Sequence, residues 1–196
     1  MAHLLDFTHL PVHSVVADFP GAPDQWAKEF NKMSNGVRID TSIAPREALV
    51  SSGHKKLPSF FQVRGCLICD ERFKNCIEKI EPKKHQFSKI EFYKRGKKEI
   101  FDGEYYLFNI LILADTFDIE KCKESGAIVW NESLSFLESI YTRDLRVTMM
   151  KERCQGFHVW RGDSLFRKSI FASDGIVADM KKEKLTGIAY KALAEI

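Results

Sequence analysis

The chain is poor in the features that usually announce a function. No apolar run approaches the ~20 residues that a membrane helix needs. The opening stretch, MAHLLDFTHLPVHSVVADFPG, has no basic leader and no clear small-residue cleavage site, and Asp6 interrupts its apolar residues early. It does not read as a signal peptide, so a cytoplasmic protein is expected. Charge of one sign is scarce: 30 Lys and Arg against 27 Asp and Glu leave +3. That is too little for a dedicated nucleic-acid binder, which carries a clear basic patch. Cysteines number five, an odd and scattered set that reads as free thiols in a reducing compartment. The nucleophile elbow Gly-x-Ser-x-Gly, the phosphate loops and the His-Glu-x-x-His zinc motif are all missing from the sequence. What is present is core material: 15 Phe, 3 Trp and 44% apolar residues across 196 positions. The length suits one domain or two small ones.

Taken in order, residues 1–22 read as extended structure and turns around Pro11, Pro20 and Gly21. Asp24 stands where a helix cap belongs, with Trp26, Phe30 and Met33 on one face and Asn35-Gly36 as the stop. Val37–Ile43 alternates like a half-buried strand, and Pro45–Val50 reads as a short helix. His54–Pro58 is the best candidate boundary. It divides an N-terminal segment, 1–58, from a main domain, 59–196, within one compact unit.

The central stretch runs Cys66–Tyr93. It predicts a strand, a helix started by Asp70 and Glu71, and an apolar face of Phe73, Ile77 and Ile80. Pro82 then stops the helix, and a second strand occupies Phe87–Tyr93. Tyr105–Ala114 barely alternates and reads as one central strand covered on both faces, with a buried helix as the rival that periodicity alone does not exclude. A loop or short helix follows, then a strand at Ala127–Trp130. A helix capped by Asn131 or Ser133 comes next, with Leu134, Leu137 and Tyr141 on one face. Strands are expected at Val147–Met150, Phe157–Trp160 and Leu165–Ala172. Ile170–Tyr190 echoes the central stretch, with Ser173 and Asp174 in the place of Cys69 and Asp70. The expected fold is α+β: a mixed or mainly antiparallel sheet with short helices and a strand–helix–strand pseudo-repeat.

Three constellations invite chemistry. Cys66 and Cys69 form a CxxC, but zinc needs a second ligand pair, and strand positions three apart face opposite ways. His85 sits in a turn between helix and strand and reads as a structural histidine, with an unfamiliar active site as the rival. Lys83, Lys84, Lys89, Lys94, Arg95, Lys97 and Lys98 interleave with Phe87, Phe92 and Tyr93. Exposed aromatics would make that a nucleic-acid surface; aromatics turned to the core would make it an ordinary strand. An acidic cluster, Asp115, Asp118, Glu120 and Glu124, offers electrostatic steering of a basic partner or a plain solvated loop.

The order of these parts resembles a family of bacterial immunity proteins from polymorphic toxin systems, over about residues 60–196. The residues that carry the resemblance are Leu67–Phe73, His85-Gln86-Phe87 and Tyr105–Asn109 with its Asp-rich exit. Trp160-Arg161, Ile170–Asp174 and Leu185-Thr186-Gly187 complete it. Cys69 departs from the capping serine usual in the family. The resemblance implies a cytosolic inhibitor without catalysis or cofactor. Its partner would be a cognate toxin from an adjacent gene, often a nuclease, and it would act by steric or active-site blockade in interbacterial competition. A slightly basic chain cannot mimic nucleic acid wholesale. A local acidic face of Asp102, Glu104, Asp115, Asp118, Glu120 and Glu124 is the expected contact, or else an apolar one with a polar rim.

Overall fold

The computed structural model describes residues 1–6, 15–22, 24–51, 53–96, 99–126, 128–131, 136–139, 147–163, 166–167 and 169–196. Its elements run β1 (Ala2–Asp6), β2 (Ala17–Asp18), α1 (Trp26–Ser34), β3 (Glu47–Val50), β4 (Phe60–Val63), β5 (Cys66–Asp70), α2 (Glu71–Ile80) and β6 (Gln86–Tyr93). Then come β7 (Tyr105–Asn109), β8 (Leu113–Ala114), α3 (Ile119–Glu124), β9 (Ile128–Asn131), β10 (Phe136–Ser139), β11 (Thr148–Met149) and α4 (Lys151–Cys154). The last are β12 (Val159–Gly162), β13 (Ile170–Ser173), α5 (Asp174–Lys182), β14 (Ala189–Ala192) and β15 (Ala194–Glu195).

Two mixed sheets organise the chain. One has the order β2-β3-β6-β7-β5-β4 and the other β14-β1-β13-β12-β8. The alternation of side chains shows how they are covered. In β5, Leu67 and Cys69 join the core that holds α2 and α5, while Cys66 and Ile68 join a second core with α1. In β13, Ile170 and Ala172 enter that same shared core, while Phe171 enters a third one with Phe117 and Met149. These inner strands are therefore buried on two faces, which is why they read as apolar runs rather than clean alternations. Stacked and edge-on rings fill the shared core: Phe60 on Phe73 at 4.6 Å, Phe87 on Phe108 at 4.9 Å, and Phe73 against Phe108 at 5.7 Å.

The α2 helix forms as its residues dictate. The Asp70 carboxylate caps it by accepting the Phe73 N–H at 2.9 Å. Phe73 and Ile77 are fully buried on its inner face. Pro82 follows just past its end. Lys79 reaches across to Asp179 on α5 at 2.8 Å.

Several expectations need correction. Val37–Ile43 is no strand: the Ile39 backbone is satisfied by a side chain, with Gln86 donating to its carbonyl at 2.8 Å and accepting its N–H at 3.0 Å. Glu47–Val50 is a strand, not a helix, because it pairs in parallel with Glu91–Tyr93 and buries Ala48 and Val50 completely. The helix expected after Asn131 gives way at 136–139 to a strand paired with β9; Leu134 and Tyr141 lie outside the described residues. The long strand from Tyr105 breaks after Asn109. Leu111 gives its N–H to the His85 ring, and the chain then crosses to the other sheet as β8, parallel to β12. The α1 cap position is held by Gln25, without a side-chain bond, rather than by Asp24. The equivalent of Ser173 is Asp70, one place later than expected, since these two residues hold the cap positions of α5 and α2.

Candidate functional site

His85, the enzyme candidate, lies inside the protein. Its Nδ1 accepts the Leu111 N–H at 3.4 Å, so its Nε2 carries the hydrogen and donates to Glu81 at 3.0 Å. Glu81 is likewise buried and accepts the His158 N–H at 3.1 Å and the Val159 N–H at 3.0 Å. Burial pushes the Glu81 carboxyl up. The His85 hydrogen bond and the two backbone donors outweigh it and hold the carboxyl below its ordinary value. Both ring nitrogens and both carboxylate oxygens are thus engaged. The group ties the end of α2 to β12 of the other sheet, which is a structural task.

The two cysteines of the CxxC point into different cores, as strand geometry requires. Burial pushes the Cys66 thiol up to about 12 and drives that of Cys69 well above its usual value. Neither has the thiolate character that redox or metal chemistry needs. Among the described residues, no three His, Cys, Asp or Glu side chains gather as a metal site.

The basic segment divides as strand alternation predicts. Phe92 is 1% exposed and Phe87 packs on the shared core, so these aromatics are not a stacking platform. Lys89 pairs with Glu104, and Lys94 with Glu99 at 2.6 Å. Lys97 and Lys98 lie outside the described residues.

The acidic candidates fall into two groups. Asp102 and Glu104 precede β7 at one end of the run that links the two sheets. Asp115, Asp118, Glu120 and Glu124 follow β8 at the other. Glu104 holds Lys89 and accepts the Tyr106 hydroxyl at 2.6 Å. Asp118 caps α3 through the Lys121 N–H at 2.8 Å. Asp115 meets Arg153 at 3.2 Å, Glu120 meets Lys123 at 2.8 Å, and Glu124 meets Lys121 at 3.2 Å. Asp102 forms no hydrogen bond or ion pair among the described residues. Exposed pairs of this kind contribute little to stability, so a basic partner can compete for these carboxylates.

Sequence reasoning missed two features. Glu81 was invisible because only the fold brings the β12 backbone to it. A hollow of about 590 Å³ beside β2 and β3, with Val15, Leu49 and Arg95 on its wall, joins residues 80 positions apart. A smaller one of about 280 Å³ lies between α2 and α5.

No curated protein matches the chain. A model of the Immunity protein family (Imm11) matches residues 11–195. That span takes in β2, α1 and β3, which the resemblance read from the sequence left out. Of these, β2 and β3 complete the same six-stranded sheet as β4–β7.

Proposed function

Because the chain belongs to the Immunity protein family (Imm11), we propose that it binds a cognate bacterial toxin and neutralises it by covering the toxin's active site. The family match over 11–195 is the observation that carries this reading. The toxin is a nuclease-type effector encoded beside the immunity gene, and the complex forms in the cytoplasm. The buried His85–Glu81 pair and the buried thiols are compatible with a binding role, since each serves the scaffold. Contact runs through exposed carboxylates, with Asp102 and the α3 group Asp115, Asp118, Glu120 and Glu124 as the electrostatic component and Glu104 beside them. These groups exchange their lysine and arginine partners for the toxin's cations.

Co-expression with the toxin encoded by the neighbouring gene tests the reading. Growth is restored by the intact chain and the two proteins co-purify. Continued toxicity, with no complex formed, would sink it.

A further inference from the structure

The strand–helix–strand echo reaches much further than the sequence shows. The α2 and α5 caps, Asp70 and Ser173, are 103 positions apart. The Asp70 N–H donates to the Ser59 carbonyl at 2.8 Å, and the Ser173 N–H to the His158 carbonyl at 3.0 Å. Next in line, the Glu71 N–H donates to the carbonyl of Glu104, just before β7, at 3.0 Å. The Asp174 N–H donates to the carbonyl of Met1, just before β1, also at 3.0 Å.

The strands follow the same plan. β7 lies between β5 and β6, antiparallel to both. β1 lies between β13 and β14, antiparallel to both. β3 runs parallel to the end of β6, with Glu47 opposite Glu91. β11 runs parallel to β15, with Thr148 opposite Ala194; Glu91 and Ala194 are again 103 apart. Outside β3 the Ser51 N–H meets the Val16 carbonyl at 2.9 Å, and outside β11 the Met150 N–H meets the Thr116 carbonyl at 2.8 Å. A helix follows each of those outer segments, α1 in one case and α3 in the other.

We infer that the chain is a tandem duplication, β1–β6 followed by β7–β15, whose two halves have exchanged their first strands. β1 closes the sheet of the second half, and β7 closes the sheet of the first. Each half carries a strap that completes the other, so neither sheet is continuous without its neighbour. Leu4 and Leu107 are the matching straps' matching residues, again 103 apart. Leu107 faces the outer core of the first half and Leu4 that of the second. Among the described residues the hairpin β9–β10 pairs only with itself and has no counterpart between α1 and β3, so it is an addition to the second copy.

The exchange makes damage cross over. In the full chain, Leu107→Ala should speed amide hydrogen exchange about tenfold or more in β4, β5 and β6, leaving β12–β14 protected. Leu4→Ala should do the reverse, loosening β12, β13 and β14 while β4–β6 hold. Variants that each loosen their own half would overturn the proposal. If either variant loses protection throughout, a cysteine pair decides: His3→Cys with Ala192→Cys, opposite each other on β1 and β14. A disulfide within one chain is expected. A disulfide between chains, or none under oxidising conditions, overturns the exchange.

Discussion

Glu81 and His85 lie 3.0 Å apart at the end of α2, both shut away from solvent, and the Glu81 carboxylate also holds two backbone N–H groups of the opposite sheet. One side chain thus fastens a helix, a turn and a strand. Glu81→Ala leaves His85 and two amides without an acceptor. Removing one partner of a buried charged network costs about 3 kcal/mol or more. Urea denaturation is the check, with the midpoint falling and the slope unchanged.

The same carboxylate gives an acid-side pH dependence. Its folded value is depressed, so its contribution is complete above its unfolded value, near 4.5, and is lost as the pH falls through the lower folded value. Melting temperatures taken between pH 6 and about 3 should therefore drop steeply for the wild type and less steeply for Glu81→Gln. Equal slopes would remove Glu81 from the explanation.

Gly187 supplies a separate test. Its φ is +85°, and an added Cβ would stand 2.0 Å from the Phe60 carbonyl oxygen. The close approach of the Thr186 segment to β4 depends on that gap, since the Phe60 N–H bonds the Thr186 carbonyl at 3.1 Å. Gly187→Ala should cost about 3 kcal/mol, roughly a 10 °C fall in Tm. Calorimetry reads it directly.

Thiol reactivity should be slow in the folded protein. Cys66 and Cys69 are buried with raised pKa values, and burial pushes even the half-buried Cys154 up to about 11. A disulfide reagent at pH 8 should find no fast thiol until denaturant is added, when all five react.

Charge reversal probes the toxin contact. Asp102→Lys together with Glu120→Lys and Glu124→Lys should slow complex formation, most at low salt, with little change in dissociation. Stopped-flow mixing at two ionic strengths separates the two rates. An unchanged association rate would move the contact elsewhere.

Much of the scaffold was legible in the residues. Asp70, the apolar spacing of α2 and Pro82 placed the central strand–helix–strand unit because local signals and burial agree there. The failures share one cause. At Glu47–Val50 and Phe136–Ser139, pairing with a distant or neighbouring strand decides the state, and no local propensity records that partner. At Ile39 a glutamine 47 residues away does the work of a strand. The acidic contact was legible only as charge: the sequence shows where carboxylates are, and only the fold shows that most already hold a lysine or arginine.

The crossed first strands also constrain how such a protein can diverge. Exchanging one half of the gene with that of a relative would deliver a strand shaped for one sheet into a gap shaped by another. Recombination at the midpoint is thus penalised, and new partner preferences must arise by substitution in surface segments or by additions such as β9–β10. A lineage built this way keeps its two halves as a matched set and rewrites its periphery.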